Sequence, residues 1–333
     1  MSATEAAAAG AVQKRPADAP AAWFNHRPGE FVSRFNVLPF PVSHNLTGHP
    51  LFELPRLVEL AKMLWCKAEG RVIFHDGDVP VDLRWDEIAK RASSLTEGLS
   101  RIQDSGSWVS LKRINQDAEY KVLVDECAEE LATLAGIDLA RVTSLLGSFF
   151  ISSPHSVTPY HIDHEGNFLL QLHGERNVYV CDPNDRAVLT EQEIESFYAG
   201  NMSAARYNED NERMAHVFHL TPGKGVHIPS RGPHWVRNGN EYSVALSVNF
   251  CLSDMDRGAR VYQVNHYLRR LRMKPAPPGQ SALKDWLKIM VMSDLRRPRQ
   301  FANNYEMVTR NVKRLDRSLH AAERVLRRPR SHQ

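Results

Sequence analysis

The chain has 333 residues, of which 42% are hydrophobic and 24% charged, and its formal net charge is +3 at pH 7. These values are typical of a globular protein. They exclude collagen-like and wholly disordered chains, and no apolar run approaches the roughly 18–20 residues of a membrane helix. Four scattered cysteines without CxxC spacing argue against a disulfide scaffold or a zinc knuckle, and predict a reducing, cytoplasmic location.

The N-terminal part of the chain predicts a helical and irregular lobe. Residues 1–22 are rich in Ala and broken by Pro and charged residues, which predicts a disordered lead-in. Residues 23–141 begin with a stretch punctuated by prolines up to residue 54. Helices are expected after it at about 55–67, 85–99 and 119–134, and short strands at 72–74 and 108–114.

From residue 142 to residue 256 the pattern changes to short apolar segments separated by Gly, Pro and Asn-Asp turns. Strands are expected at 145–151, 168–172, 178–181, 217–220, 226–228 and 244–250, with one helix at about 191–198. Strands at such short intervals, without long helices between them, predict a sandwich or barrel rather than a parallel βαβ fold.

Helical patterns return in residues 257–333, at about 257–272, 281–295 and 304–327. This C-terminal part carries 19 Lys and Arg against 5 Asp and Glu, whereas the rest of the chain is acidic. The basic helices could pack against the acidic body of the same chain or of a second subunit, or they could bind an anionic partner such as nucleic acid. Packing is the favoured interpretation, because a block of charge alone rarely specifies a ligand.

The segment Thr158-Pro-Tyr-His161-Ile-Asp163 contains the clearest chemical motif. In a strand, positions i and i+2 point to the same side, so His161 and Asp163 are expected to converge. His234 lies just past a bend that follows Ile228-Pro229, and it is the candidate for a third ligand. Two histidines and one carboxylate on one face form the facial triad of non-haem iron(II) oxygenases. A zinc hydrolase could use the same donors, but no positioned Glu base or HExxH-type motif accompanies them.

Residues 142–256 resemble the JmjC-type, cupin-fold 2-oxoglutarate oxygenases, and most closely the asparaginyl hydroxylase of the hypoxia-inducible factor and its bacterial relatives. The resemblance rests on His161-Ile-Asp163, on Gly166-Asn-Phe-Leu-Leu-Gln171 with Gly174, on Asp182-Pro183, and on Thr221-Pro-Gly-Lys, Ile228-Pro229 and His234-Trp-Val. It implies a mainly β fold, a double-stranded β-helix (cupin or jelly roll) with an N-terminal helical lobe and a C-terminal helical extension. It also implies Fe(II) bound by His161, Asp163 and His234, with 2-oxoglutarate as co-substrate.

The same resemblance implies a binding site for 2-oxoglutarate. Thr158, Asn167 and Asn249 match a hydroxyl and two amides near the co-substrate in the family. Arg176 stands where the family usually has a lysine that pairs with the far carboxylate, and an arginine can make a bidentate pair with such a group. The family's tyrosine on an earlier strand has no evident counterpart, and Ser110 and Lys112 are the polar residues available there.

These features predict a hydroxylase that acts on a protein side chain or a small molecule. The alternative is a catalytically silent cupin-fold protein that binds or regulates. Apolar residues of the C-terminal helices, among them Leu283, Trp286 and Leu287, predict a homodimer, as the resemblance also implies. A tail that binds RNA or another anion is the competing interpretation of these helices.

Overall fold

Two antiparallel sheets form the centre of the computed structural model, which describes residues 22–67, 72–75, 79–85, 99, 102–104, 106–292, 309 and 312. The strands in these ranges are β1 (Phe40–Ser43), β2 (Val72–His75), β3 (Trp108–Lys112), β4 (Val142–Ser152), β5 (Val157–His161), β6 (Gly166–His173), β7 (Arg176–Val180), β8 (His216–Leu220), β9 (Lys224–Ile228), β10 (His234–Asn238) and β11 (Ser243–Leu252). The helices are α1 (Leu54–Lys67), α2 (Ala118–Ala135), α3 (Glu191–Tyr198), α4 (Glu209–Met214), α5 (Ser253–Arg270) and α6 (Ala282–Met292).

The larger sheet has seven strands in the order β1-β9-β6-β11-β4-β3-β2, and the smaller has four in the order β5-β10-β7-β8. Their inner faces pack together through a cluster of buried aliphatic side chains that includes Leu169 and Val226 from the larger sheet and Val178 and Val236 from the smaller. Two facing antiparallel sheets whose neighbouring strands are distant in sequence are typical of a jelly roll. The mainly β fold class is therefore confirmed.

The outer face of the larger sheet is covered by α1 and α2. All ten residues of β11 are buried, because its even-numbered side chains face these helices and its odd-numbered ones face the barrel interior. Val248 and Phe250 belong to the outer core with Leu60 and Leu123, for example. This two-sided burial explains why the sequence of β11 is almost continuously apolar while Ser243, Ser247 and Asn249 interrupt it on the inner face.

Local sequence features account for the ends of several elements. The Asp117 carboxylate accepts hydrogen bonds from the first turn of α2, and Gly136 ends that helix with a φ of 64°. Gly174, in the β6–β7 hairpin, has a φ of 65°, and a Cβ atom there would lie 2.2 Å from the carbonyl oxygen of Tyr242. Glycine is therefore required at this turn.

The C-terminal helices pack beside the barrel rather than within it. On α5, Arg269 donates two hydrogen bonds, of 2.7 and 2.8 Å, to the buried carboxylate of Glu195 on α3. On α6, the Lys288 ammonium reaches back and donates to the carbonyl oxygen of Ala276 at 3.0 Å. Among the described helices, none combines the length and apolar character that crossing a bilayer requires.

Most predicted elements are confirmed within one to four residues, and a few differences stand out. The stretch expected to be irregular before residue 54 contains β1, which pairs with β9, and the polar stretch after α3 contains the short helix α4. Strands β1 to β3 come from the N-terminal lobe and complete the larger sheet. The disordered lead-in, the helix at 85–99 and the helix at 304–327 fall outside the described residues or almost entirely so. The domain boundaries remain predictions.

Candidate metal centre

Strands β5 and β10 place two histidines directly opposite each other at one end of the barrel. His161 is the last residue of β5 and His234 the first of β10, and their Cα atoms are register partners. Opposed residues of an antiparallel pair point to the same face. Asp163 lies just after β5 and not within it. Its side chain therefore approaches His161 because of the path of the loop. The sequence predicted this approach from the alternation of side chains in a strand, and that reason was wrong.

A β-bulge in β5 explains how a residue three positions before His161 can share its face. His161 pairs with His234 and Thr158 pairs with Val236. A step of three residues along β5 therefore lies opposite a step of two residues along β10. The extra residue restores Thr158 to the inner face, whereas a regular strand would turn it outward. The sequence contains Pro159 at this point, and proline in a strand is typical of such irregularities.

The three candidate ligands lie close together. The Asp163 Oδ2 atom is 3.7 Å from His161 Nε2 and 3.8 Å from His234 Nε2, and one donor atom from each residue lies within 4.8 Å of the others. The side chains of the histidines are 14% and 5% exposed, but that of Asp163 is 41% exposed. The cluster is therefore enclosed on the histidine side and open on the carboxylate side.

Backbone carbonyl groups set the tautomer of both histidines. His161 Nδ1 lies 2.8 Å from the carbonyl oxygen of Pro159, and His234 Nδ1 lies 2.9 Å from that of Gly232. A carbonyl can only accept, so each Nδ1 carries the proton and each Nε2 presents a lone pair to the centre of the cluster. This is the arrangement found in metal-ligating histidines, whose second nitrogen donates to a backbone or carboxylate oxygen.

Electrostatics keep the cluster in the form that a metal requires. Removal from bulk water raises the pKa of Asp163, but the attraction of His161 and His234 outweighs it and the pKa lies below its usual value. Burial, together with repulsion from His161, lowers the pKa of His234 to about 4 despite the nearby Asp163. Near neutral pH the cluster therefore offers a carboxylate and a neutral imidazole, the protonation states that bind divalent cations.

The segment between the ligands is held by packing. Ile162 is buried against α3 and α5 in a cluster with Ile194 and Tyr262, for example. His164 is also buried; its Nε2 donates to the Asp256 carboxylate at 2.9 Å, and its Nδ1 lies 3.0 Å from the Tyr198 hydroxyl oxygen. The His164 ring is thus held by Tyr198 and Asp256 and not by the three candidate ligands.

The turn before His234 is tied to the loop that carries Asp163. The backbone N–H of Arg231 donates to the carbonyl oxygen of Asp163 at 2.8 Å, and the Ser230 hydroxyl donates to that of His164 at 2.6 Å. Arg231 has a φ of 62°, a left-handed conformation that favours glycine, and its guanidinium donates to the Tyr262 hydroxyl at 3.1 Å. Two loops that are distant in sequence are therefore joined by hydrogen bonds.

A cavity of about 120 Å³ adjoins the cluster. Of the predicted site residues, His161, Asp163, Asn167 and Asn249 line it, whereas Thr158, Arg176 and His234 do not. The Ser247 hydroxyl lies between the two asparagines, 2.9 Å from Asn167 Oδ1 and 3.0 Å from Asn249 Oδ1. The two amides are thus linked side by side at the cavity wall, as the register pairing of Asn249 with Asn167 requires.

Arg176 is a buried cation without a carboxylate partner among the described residues. It is 3% exposed, and its Nε and Nη2 atoms donate to the Ser243 hydroxyl at 3.0 and 2.6 Å. No ion pair to it forms among the described residues, and burial lowers its pKa to about 9. It shares the inner face with Val178 and Val180, and Val180 is the register partner of His234. Arg176 is therefore not an exposed charge of the β6–β7 hairpin.

Several cavity residues were not identified from sequence as parts of the site. Trp85 packs on the His161 ring with centroids 4.7 Å apart, and its Nε1 is buried without a hydrogen-bond partner. Glu165 lines the cavity two positions after Asp163, and burial and the charge of Asp163 raise its pKa. The sequence did contain one signal for Glu165, namely its position two residues after the candidate ligand Asp163. No local pattern marked Trp85.

The two polar residues that β3 supplies both line the cavity. Ser110 is 1% exposed and its hydroxyl has no hydrogen-bond partner, while Lys112 is half-buried. Val109 and Leu111, which alternate with them, face the outer core. In contrast, His227 packs among aromatic rings, and its Nδ1 donates to the carbonyl oxygen of Asn167 at 3.0 Å.

Known proteins provide one family match and several distant structural likenesses. The profile of the cupin-like domain family matches residues 74–255, more than half of the chain. No curated protein matches the sequence. None of the matches below shows the closer relation to the asparaginyl hydroxylase that the sequence suggested.

The structural likenesses are at low identity. A structure of YcfD from Escherichia coli is 15% identical, with a TM-score of 0.46, and the match covers 89% of this chain and 66% of that chain. YcfD, a ribosomal oxygenase from Escherichia coli, in complex with cobalt and 2-oxoglutarate is 14% identical, with a TM-score of 0.42 and coverage of 89% and 65%. The chain thus spans slightly less than two thirds of the length of YcfD.

Proposed function

The chain belongs to the cupin-like domain family, and from that premise we propose that it is an Fe(II)- and 2-oxoglutarate-dependent oxygenase, a hydroxylase of a protein side chain or a small molecule. The observation that carries the proposal is the convergence of His161 Nε2, His234 Nε2 and the Asp163 carboxylate, with both Nδ1 atoms held by carbonyl groups. Two imidazoles and one carboxylate with an open side are the donor set of the facial triad.

The residues present fit the metal that the family implies. His161, Asp163 and His234 would hold it, and Fe(II) with 2-oxoglutarate would supply the oxidation of a C–H bond by dioxygen. The chain's own contribution is to orient the imidazoles through Pro159 and Gly232 and to keep one side of the cluster open at Asp163. The apolar rings beside the cluster, Trp85 among them, would exclude water from the reacting centre.

The co-substrate fits the unpaired buried charge. A guanidinium that is 3% exposed and has no carboxylate partner among the described residues costs free energy that a bound anion would recover. We assign the far carboxylate of 2-oxoglutarate to Arg176, with Thr158 on the same inner face and Asn167 and Asn249 on the opposite wall. Arg176 and Val180 are four strand residues apart, about 13 Å, so the inner face between Arg176 and the cluster offers length for an extended diacid.

Reconstitution with Fe(II) tests the proposal. The wild-type chain should bind one iron per chain and release succinate from 2-oxoglutarate. His161→Ala and His234→Ala should lose at least nine tenths of the bound iron and of the succinate release, while keeping the wild-type circular dichroism spectrum. His219→Ala, whose side chain is 57% exposed on β8, is the matched control and should retain both.

Normal iron content and succinate release in His161→Ala or His234→Ala would contradict the assignment of the triad. Binding of iron and 2-oxoglutarate without any succinate release would instead favour the silent cupin-fold protein that the sequence left as the alternative.

We also propose that two copies of the chain pair through α6. The side chains that cover its outer face are exposed, and the predicted stripe is among them: Leu283, Trp286, Leu287, Met290 and Val291 are each at least 52% exposed. A second copy is the proposed occupant because the C-terminal part is basic and the rest acidic, so each copy complements the other. A cytoplasmic location also remains a prediction, and nucleic-acid binding remains the competing interpretation.

A further inference from the structure

A second cavity, of about 310 Å³, shares the Trp85 side chain with the cavity beside the cluster. It is lined by residues 81–85, by Tyr160 and by part of the segment 203–207. Apart from Trp85, none of these residues belongs to the proposed metal or co-substrate site. The second cavity therefore has no role in the function proposed above.

A thin wall separates the two cavities. On β5, an edge strand of the smaller sheet, His161 lines the cavity beside the cluster and the preceding Tyr160 lines the second. The consecutive residues Met202 and Ser203 are divided in the same way. The Trp85 indole packs on the His161 ring with centroids 4.7 Å apart and completes the wall. A ligand in the second cavity is thus one side chain away from a candidate metal ligand.

The cavity beside the cluster has little room for a substrate next to the co-substrate. It measures about 120 Å³, and its lining includes Asn167 and Asn249, which are assigned to 2-oxoglutarate. Pockets for drug-sized ligands enclose roughly 300–1,000 Å³, and the second cavity reaches the lower end of that range. If the proposed function holds, the second cavity is the space that remains for the body of a substrate.

The second cavity contains a buried hydroxyl group without a hydrogen-bond partner. Tyr160 is 4% exposed, and its oxygen bonds to none of the residues that the structure describes. Within the same part of the chain, the Trp85 Nε1 atom is also buried and unpartnered. Burial raises the pKa of Tyr160, so its hydroxyl stays protonated and can donate. Because unpartnered buried donors cost stability, both favour a ligand that supplies an acceptor.

Aromatic rings surround this hydroxyl group. Tyr160 and Tyr207 cross edge to face with centroids 5.8 Å apart, and Trp235 packs behind both. The Trp85 indole is the third ring that lines the cavity. Aromatic rings pack favourably on one another in offset-stacked and edge-to-face arrangements. The lining therefore favours a planar ring over a branched aliphatic group.

The charged residues of the lining do not require a charged ligand. They are Asp82, Arg84 and Arg206, and they carry both signs. Asp82 and Arg206 are exposed, so water and salt screen their charges. Arg84 is half-buried and already has an interaction partner. A neutral ligand would therefore leave no buried charge uncompensated in the described lining.

We infer that the second cavity is the substrate site and that the substrate carries a neutral aromatic ring with an oxygen acceptor. The ring would pack on Trp85 and Tyr207, and the acceptor would bind the Tyr160 hydroxyl. The carbon to be oxidised would extend past Trp85 toward the cluster. This inference rests on the proposed function and narrows its substrate class, with Tyr160 and Trp85 as specificity-determining residues.

Binding is tested on the full-length chain without iron, labelled with 5-fluorotryptophan, and Trp85→Phe assigns the fluorine NMR signal of Trp85. The probes p-cresol and 4-methylanisole should shift this signal. Their dissociation constants should be at least threefold lower than that of toluene, which has the ring but no acceptor. The probe 4-methylcyclohexanol has the oxygen but no aromatic ring, and it should bind at least threefold more weakly than p-cresol.

Tyr160→Phe removes only the unpartnered hydroxyl. The variant should bind p-cresol and toluene within twofold of each other. Without ligand, its Tm should equal or exceed that of the wild type, since no hydrogen bond is lost. Tyr242→Phe, at another tyrosine that is not fully exposed, is the matched control and should keep the preference for p-cresol. Equal affinity of the wild type for all probes, an unchanged preference in Tyr160→Phe or a clear fall in its Tm would overturn the inference.

A second measurement tests whether the bound ring lies beside the metal. Without oxygen, the chain with Fe(II) and 2-oxoglutarate should show a weak visible absorption band. Addition of p-cresol should shift this band with the same half-saturation as the fluorine signal. A band that the bound probe leaves unchanged would overturn the substrate site and leave the oxygenase standing. Absence of the band, of bound iron and of succinate release would defeat the proposed function, and this inference with it.

Discussion

The cavity beside His161 and the outer face of α6 depart from the usual distribution of side chains in opposite directions. Inside the barrel, Arg176 is buried without a carboxylate, and Lys112 and Glu165 face the cavity without an ion pair, as far as the described residues show. On α6, Trp286 and Leu287 are 53% and 52% exposed, while Lys288 is 9% exposed and donates to a backbone carbonyl. In the barrel, charged side chains are buried or half-buried, whereas on α6 apolar side chains are exposed.

The comparison indicates that both regions are incomplete in the isolated chain, but that different partners complete them. Unpaired buried charges cost stability until a ligand of opposite charge reaches them. An exposed apolar stripe costs stability until another apolar surface covers it. We therefore expect small ligands to bind in the cavity and a protein surface to cover α6. Each prediction below acts on one region and leaves the other as its reference.

Replacement of Arg176 should give the largest effect. Loss of a buried charged partner costs roughly 2–5 kcal/mol, so Arg176→Met should raise the apparent KM for 2-oxoglutarate by well over tenfold while iron stays bound. Without 2-oxoglutarate, the same variant should have a wild-type or higher Tm, because an uncompensated buried charge is removed. Steady-state kinetics and thermal unfolding measure the two effects.

Arg176→Lys should be tolerated better, since it keeps the charge, and Arg213→Met, at a side chain that is 81% exposed, is the control. An unchanged KM in Arg176→Met would show that the co-substrate carboxylate binds elsewhere. A large fall in Tm would show that Ser243 alone compensates the charge.

Polar substitution on α6 should abolish pairing without affecting the cavity. Leu287→Gln should convert a dimer to a monomer in sedimentation velocity, because it places an amide in the centre of the apolar stripe. The wild-type chain should sediment as a dimer at both low and high salt, since apolar interfaces resist salt whereas phosphate contacts do not. Truncation before about Ser281 should also give a monomer.

Lys284→Gln, one turn away on the same helix and also exposed, is the matched control and should remain dimeric. A full-length chain that is monomeric and binds a polyanion tightly at low salt would replace the dimer by the nucleic-acid interpretation.

Acidification should lower stability gradually, and it should act on the barrel rather than on α6. Burial lowers the pKa of His44 to about 4 and that of His227 to about 3, whereas α6 contains no histidine. The unfolded chain takes up these protons near pH 6.5 and the folded chain does not. The free energy of unfolding should therefore fall as the pH drops from about 6.5 to 4, by up to about 1.4 kcal/mol per pH unit for each histidine.

Urea unfolding followed at several pH values measures this slope. His44→Gln should reduce it, because a glutamine can replace the bonds that His44 makes to Leu46 and Lys224 without taking up a proton. A free energy of unfolding that stays constant between pH 6.5 and 4 would show that the two histidines are not kept neutral by the fold.

The sequence predicted elements well where the determining forces are local. Helix α2 begins at the Asp117 cap and ends at Gly136, and α3 begins with the capping box of Thr190 and Glu193. The inner strands of the larger sheet could be read from apolar runs because they are buried on both faces. Strand β1 could not be predicted, since its four residues become a strand only by pairing with β9, nearly 190 residues later.

The sequence by itself determined which residues form the candidate metal centre, because a histidine-aspartate motif and a distant histidine after a turn restrict the chemistry through residue type. Only the tertiary structure decided that a bulge brings Thr158 to the inner face, that Arg176 is buried without a carboxylate partner among the described residues, that Lys112 and Glu165 face one cavity, and that the stripe on α6 remains exposed. The physical reason is that burial and pairing depend on what distant segments bring against a side chain, whereas ligand chemistry and helix capping are already present in a few consecutive residues.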